Sequence, residues 1–139
     1  MKITILGSIS NAEKMYQIID QLKAMGHEIF SHDAMEQYAK GDEDLIAKIE
    51  ADHANMKIQH DVIKWYYDAI GKSDAVLVCN FEKNGIAGYI GGNVLMELAF
   101  AHVLNKKKFL LNDIPEVGHK DEIRAMQPIV IGGDLSKIL

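Results

Sequence analysis

The chain has 139 residues, of which 48% are hydrophobic and 25% are charged. This composition is typical of a globular protein and not of a disordered or fibrous one. We expect one domain over residues 1–139, long enough to bury about two thirds of its unfolded surface. The formal net charge of −5 disfavours a nucleic-acid partner, because phosphate contacts need a clustered basic face. No apolar run approaches the ~20 residues that cross a bilayer, so a membrane partner is not expected either.

The single cysteine, Cys79, ends the apolar run at residues 75–79. We interpret it as a buried structural thiol rather than a nucleophile. One cysteine forms no internal disulfide, which fits a reducing compartment. The opening residues 1–6 are too short for the apolar core of a signal peptide. We therefore predict a cytoplasmic protein.

The start of the chain has the pattern of a βαβ unit. Residues 3–6 predict a short buried strand, and a helix with one apolar face follows it. Gly26 stands where a left-handed C-cap ends a helix, and residues 27–30 predict the second strand. The crossover between these strands is expected to be right-handed.

Residues 42–71 have a helical pattern, in one piece or in two. One stripe of residues recurs at alternating spacings of four and three, which predicts packing against a sheet or a partner helix: Ile49, His53, Met56, His60, Ile63, Tyr67 and Ile70. The two histidines are two turns apart, about 10 Å along the axis. They cannot share one metal ion, so we interpret them as packed side chains and expect no metal site.

Later apolar runs predict the rest of a sheet. Residues 75–79 and 108–111 have the composition of buried strands, and residues 128–131 that of a short edge strand. A short helix is expected around residues 121–126. Apolar strands that alternate with helices indicate a parallel sheet covered on both faces. The sequence therefore predicts the α/β class, with a three-layer doubly wound parallel sheet and strand order 2-1-3-4-5.

Glu97 is the one charged residue between residues 84 and 105. A carboxylate on an otherwise apolar helix is costly to bury unless it is paired, hydrogen-bonded or used. Asn93 lies one turn earlier on the same helical face, and Gly91 and Gly92 allow backbone to approach a ligand closely. This pattern predicts a small-molecule pocket at the start of the helix.

Ligands of doubly wound sheets bind outside the carboxyl ends of the strands. The residues that follow predicted strands or begin the Glu97 helix are therefore candidates for substrate binding: Gly7, Ser8, Ile9, Asn80, Gly91, Gly92 and Asn112. Gly7 and Ser8 form either a simple turn or a cradle that holds phosphate or sugar on helix amides. The glycine-rich loop before the helix is longer than packing requires, and loops of such length are disproportionately functional.

Several segments share their pattern with one family. They are Ile-Leu-Gly-Ser at 5–8, Asp-Ala-Val-Leu-Val-Cys-Asn at 74–80, Glu-Leu-Ala-Phe-Ala at 97–101, and Lys-Lys-Phe-Leu-Leu-Asn-Asp-Ile-Pro at 107–115. Together with the glycine-rich loop they resemble the nucleoside 2-deoxyribosyltransferase superfamily, which includes the 2′-deoxynucleoside 5′-phosphate N-hydrolases. The resemblance leaves residues 31–53 unmatched.

The resemblance implies a flavodoxin-like fold and an enzyme without a metal or redox cofactor. The glutamate that matches Glu97 attacks the anomeric carbon of a (deoxy)ribosyl group and releases the base. A nucleoside or nucleotide is then the small-molecule partner. A homodimer or larger homo-oligomer is also expected.

Two positions depart from the family pattern. Tyr66 stands where the family has an aspartate that positions the nucleophile or protonates the base, and Gly91 stands where an aspartate or a serine is usual. We assign catalytic roles to Glu97, Tyr66 and Asn93, with Asn93 doing the work of the side chain missing at Gly91. The Tyr66 hydroxyl either hydrogen-bonds Glu97 or packs beneath it.

Three functions stay open from the sequence. The first is cleavage or transfer at the N-glycosidic bond of a (deoxy)nucleoside or nucleoside 5′-monophosphate. The second is a non-catalytic nucleotide-binding module of the same fold, suggested by the two departures. The third is a Lonely Guy-like phosphoribohydrolase, whose Pro-Gly-Gly-x-Gly-Thr-x-x-Glu loop is similar to residues 91–97 but has a proline, a glycine and a threonine that this chain lacks.

Overall fold

The computed structural model describes residues 1–52 and 61–139. Its elements follow one another in this order: β1 (Lys2–Leu6), α1 (Ala12–Ala24), β2 (Glu28–Phe30), α2 (Asp33–Ala39), α3 (Glu43–Ala51), α4 (Val62–Lys72), β3 (Ala75–Val78), α5 (Gly92–Val103), β4 (Lys107–Leu110), α6 (Lys120–Ala125) and β5 (Ile129–Val130). Short 3-10 turns lie at Ile9–Asn11, between β1 and α1, and at Leu135–Lys137.

The five strands form one parallel sheet in the order β2-β1-β3-β4-β5. Leu6 at the end of β1 pairs with Val78, and Val78 pairs with Leu110, so three strands end at the same edge. The predicted α/β class, flavodoxin-like topology and strand order are confirmed. The strand order switches between β1 and β3, where such sheets place their ligands.

Helices cover both faces of the sheet, because strand side chains alternate between the faces. Ala75 and Leu77 of β3 face a core shared with α1 and α2, whereas Val76 and Val78 face a core shared with α4, α5 and α6. The open edge at the ends of the strands is therefore the place left for a ligand. None of the helices in the described ranges is long and apolar enough to cross a bilayer.

Most of the predicted elements are present with ends shifted by one or two residues. Gly26, at φ +92°, ends α1 as expected. The predicted helix over residues 42–71 corresponds to α3 and α4, and the predicted positions His53, Met56 and His60 lie outside the described residues. Helix α2 was not expected, because it is capped by the side chain of His32, which is not among the usual N-cap residues.

The predicted apolar stripe is buried only in part. Ile49 and Ile70 are buried, but Ile63 and Tyr67 are each 47% exposed. Helix α4 instead turns Tyr66 toward the sheet, together with Ile70. Ile63 is therefore left half exposed, whereas the Tyr67 ring packs edge-on against Phe100 of α5, with centroids 5.4 Å apart, as expected for a partner helix. Tyr66 is the aromatic residue of α4 that faces the sheet.

The loop between β3 and α5 contains a small hairpin at residues 83–86. Lys83 and Ile86 exchange backbone hydrogen bonds of 3.1 and 3.0 Å. Asn84 and Gly85 between them have φ values of +52° and +80°, as the Asn-Gly pair of a type I′ turn does. Part of the long loop predicted from the sequence is therefore a hydrogen-bonded turn.

Gly88, farther along this loop, leaves no room for a side chain. It has φ +65°, and a Cβ added there would lie 2.4 Å from the backbone oxygen of Asp113. We predict that Gly88→Ala lowers the free energy of unfolding by about 2–4 kcal/mol, from left-handed strain and overpacking together.

Gly85→Ala is the matched control, because Gly85 has φ +80° but nothing within 4 Å of an added Cβ. In this variant the free energy of unfolding should fall only by the cost of the left-handed conformation, about 1–2 kcal/mol. Urea unfolding of both variants measures the difference. Equal losses would mean that the close approach at Asp113 does not constrain the loop.

Candidate functional site

A cavity of about 340 Å³ lies at the edge of the sheet where β1 and β3 end. Its size is in the range of small-molecule sites. Many residues predicted to bind substrate or act in catalysis line it: Gly7, Ser8, Ile9, Tyr66, Gly91, Gly92, Asn93 and Glu97. Helices α2 and α3 complete the wall with apolar side chains. The site therefore lies at the switch in strand order.

Glu97 lies in the second turn of α5, which begins at Gly92. Its side chain is only 7% exposed and lines the cavity. The buried residues Val94, Leu98 and Ala101 on the same side of α5 pack toward the sheet, so the helix directs this face inward. Among the described lining residues Glu97 is the one carboxylate. It can act as a nucleophile or stabilise a cationic centre in the cavity.

Asn93 lies one turn before Glu97 and is exposed, although it lines the cavity. Gly91 is the N-cap of α5, and no side chain caps this end of the helix. A Cβ on Gly91 would meet the Tyr89 ring at 3.3 Å. The start of α5 therefore presents backbone and one amide side chain to a ligand.

Tyr66 lies in the cavity wall on α4, and its ring faces His32, the N-cap of α2. Burial raises the pKa of its phenol far above the usual range, and the negative charge of Glu97 raises it further. The phenol therefore keeps its proton at neutral pH and remains a hydrogen-bond donor. In the described part of the chain no hydrogen bond joins the Tyr66 hydroxyl to the Glu97 carboxylate, so the two residues are coupled by charge.

His32 is a lining residue that sequence reasoning missed. Its Nδ1 accepts the backbone N–H of Ala34 at 3.0 Å, so in the neutral ring the proton is on Nε2. The ring packs edge-on to Trp65, with centroids 4.9 Å apart, and stacks on Tyr66 at 6.4 Å. Its position directly after β2, at the ligand-binding edge, was the sequence feature that could have identified it.

Ser8 lines the cavity, and its hydroxyl is 2.8 Å from that of Ser10. A 3-10 turn separates Ser8 from α1, so the N-cap of α1 is Asn11, which also lines the cavity. Gly7 is closely packed, because an added Cβ would lie 2.9 Å from Met15 Sδ and 3.2 Å from the carbonyl oxygen of Cys79. The turn after β1 thus contributes small and polar groups to the wall.

Asn80 and Asn112, both predicted to bind substrate, are not among the lining residues. Asn80 is buried, and its Nδ2 donates to the carbonyl oxygens of Gly88, Asn112 and Asp113 at 3.0–3.2 Å. Its Oδ1 accepts the Asn112 N–H, while Asn112 Nδ2 donates to the Asn80 carbonyl. The side-chain amides of both residues are therefore engaged in hydrogen bonds within the protein. Asn80 and Asn112 therefore join the loops after β3 and β4.

Cys79 also borders the cavity, but burial raises its pKa to about 12. It is a thiol at neutral pH and a poor nucleophile. Within residues 1–52 and 61–139, no group of three or more His, Cys, Asp or Glu side chains could hold a metal ion.

Comparisons of the chain with protein-family models, with curated proteins and with solved structures found no match. The functional assignment therefore has to come from the fold and from the chemistry of the cavity.

Proposed function

We propose that the protein is an enzyme that cleaves or transfers the N-glycosidic bond of a (deoxy)nucleoside or nucleoside 5′-monophosphate. The main support is the buried carboxylate of Glu97 in the wall of a cavity large enough for such a ligand. The resemblance to the nucleoside 2-deoxyribosyltransferase superfamily matches the same residue to the catalytic glutamate. We also propose that no metal or redox cofactor takes part.

In the proposed reaction a Glu97 oxygen attacks the anomeric carbon of the sugar. The bond from this carbon to the base nitrogen breaks, its electron pair leaves with the base, and the base takes up a proton. The product is a glycosyl ester of Glu97. Water then displaces the carboxylate to give the free sugar, or a second base displaces it to give a new nucleoside.

His32 is assigned to hydrogen-bond the leaving base, which takes its proton from water. In the neutral ring the His32 proton is on Nε2, because Nδ1 accepts the Ala34 N–H, and this N–H is the donor in the assigned role. Around it the cavity has apolar side chains from α2 and α3, namely Met35, Leu45 and Ile49. A planar base fits between such groups and the aromatic rings. The sugar then lies toward Glu97.

Tyr66 and Asn93 are assigned to positioning at the reacting end. The Tyr66 phenol stays protonated under the influence of burial and of Glu97, so it can donate a hydrogen bond as charge shifts at the sugar. Asn93 can bond a sugar hydroxyl from the start of α5. Gly91 and Gly92 leave space for the ligand beside that amide.

A non-catalytic nucleotide-binding module is the second candidate. The observation that favours it is the missing direct hydrogen bond between Tyr66 and Glu97 in the described part of the chain. A Lonely Guy-like phosphoribohydrolase would share the bond that is cleaved but use ribonucleotides. A substrate panel of ribo- and deoxyribo-compounds separates these possibilities.

A cytoplasmic homo-oligomer is part of the proposal. The free, buried thiol of Cys79 suits a reducing compartment. Ile63 and Tyr67 on α4 and Val103 on α5, which is 72% exposed, leave apolar surface on the outer side of these helices. Such surface supports a contact with a second copy of the chain.

The Glu97→Gln variant tests the nucleophile. We predict that release of free base, followed by chromatography over a panel of nucleosides and 5′-monophosphates, falls at least ~1000-fold. Stability should stay the same or rise, because the variant removes a buried charge without changing its shape. Glu122→Gln, an exposed change on α6, is the control. Full turnover by Glu97→Gln would exclude the nucleophile, and no base release by the wild type would favour the binding module.

The Tyr66→Phe variant tests whether the phenol takes part. It keeps the ring packed against Trp65, with centroids 5.0 Å apart, and removes only the donor. We predict that kcat falls about tenfold or more, equivalent to at least ~1.4 kcal/mol in the barrier, with an unchanged melting temperature. A fully active Tyr66→Phe together with an unstable Tyr66→Ala, at a cost of roughly 3–5 kcal/mol, would assign Tyr66 to packing alone.

A further inference from the structure

The geometry points to a subsite for an anionic group at Lys83 and Tyr89, two cavity-lining residues of the loop between β3 and α5. We infer that Lys83 selects ligands that carry a phosphate over the corresponding nucleosides. Naming that phosphate as the 5′-phosphate of the substrate rests on the proposed function.

The charged residues of the cavity wall support this inference. Among the described lining residues Lys83 is the one lysine or arginine, and Glu97 is the one carboxylate. The ion pairs within the described ranges are Lys40–Glu36 and Lys120–Glu116, so Lys83 forms no ion pair with a described carboxylate. An ammonium without a carboxylate partner has its three donors available for a ligand.

The backbone at Lys83 is held in place by the hairpin at residues 83–86. The two backbone hydrogen bonds between Lys83 and Ile86 close the turn. The carboxylate of Glu82 accepts the N–H of Gly85 and so supports the turn from outside. Because the turn is closed by its own bonds, the backbone at Lys83 is held at the cavity wall before a ligand arrives.

Tyr89 supplies a surface for the Lys83 side chain. The Lys83 Nζ lies 5.5 Å from the centroid of the Tyr89 ring, within the range of a cation–π contact. The N–H of Tyr89 donates to the carbonyl of Phe81 at 3.1 Å, which ties the ring to the base of the hairpin. The Tyr89 ring attracts the Lys83 ammonium without cancelling its charge. The ammonium can therefore rest beside the ring and still attract an anion.

A charged ammonium at Lys83 favours a nucleotide over a nucleoside. A nucleoside is uncharged, and an ammonium gains little from it over water. A 5′-phosphate carries negative charge and several acceptor oxygens, and lysine binds phosphate as a point charge. With the base against apolar lining residues such as Met35 and Leu45, Lys83 is the cationic lining residue left for the phosphate.

Binding measurements test the subsite separately from catalysis. Calorimetric titrations use the Glu97→Gln protein, to prevent turnover, with the common nucleosides, their 5′-monophosphates and inorganic phosphate. We expect at least one monophosphate to bind about tenfold or more tightly than its nucleoside, and the added Lys83→Gln change to remove most of that preference. Lys83→Arg should keep it, because the charge is retained.

Lys14→Gln is the matched control. Lys14 Nζ lies 5.3 Å from the Phe81 ring, a similar cation–π contact, but Lys14 is not among the lining residues. This variant should keep the preference for monophosphates. Thermal melting confirms that each variant is folded.

The outcomes separate the two proposals. A Lys83-dependent preference for monophosphates in a protein that releases no base would support the subsite and contradict the proposed reaction. Base release with equal binding of nucleosides and monophosphates, or with a preference that survives Lys83→Gln, would support the reaction and overturn the subsite. Binding of inorganic phosphate without tighter binding of any monophosphate would also overturn it.

Discussion

The burial of the Glu97 carboxylate is the constraint on which the rest of the site depends. Removing an ion from water costs several kcal/mol, so the apolar inward face of α5 is a costly place for a carboxylate. Tyr66 is one neighbour that this charge affects, because the pKa of its phenol is raised by burial and raised further by Glu97. In the proposed enzyme the buried carboxylate has a use, because a charge that is largely removed from water interacts strongly with a cationic transition state.

Two loops hold the ligand-facing groups around that carboxylate. Asn80 joins the loop after β3 to the loop after β4 through hydrogen bonds at Gly88 and Asp113. The same loop then forms the hairpin that places Lys83 and continues to Gly91 at the start of α5. The buried amide of Asn80 therefore connects the helix of Glu97 to the proposed phosphate subsite. Loss of this amide would disturb both ends of the cavity.

The sequence was sufficient for the topology of the sheet and for placing Glu97 beside a cavity. Apolar strands and the Gly26 cap predicted the order of the strands, and one charge on an apolar helix drew attention to Glu97. Hydrogen-bond satisfaction was not visible in the sequence, so Asn80 was assigned to the ligand although its amide is used within the protein. His32 and Lys83 were missed because a cap made by histidine and a hairpin inside a long loop have no hydrophobic periodicity.

The most direct test is detection of the covalent intermediate on Glu97. A nucleoside 5′-monophosphate with fluorine at the 2′ position slows breakdown of a glycosyl ester by destabilising the cationic transition state. Intact-mass and peptide spectra of the treated protein should show the added sugar phosphate on the peptide that contains Glu97, and none on the Glu97→Gln variant. Release of base from ordinary substrates with no adduct on Glu97, or with the adduct on another residue, would contradict the proposed mechanism.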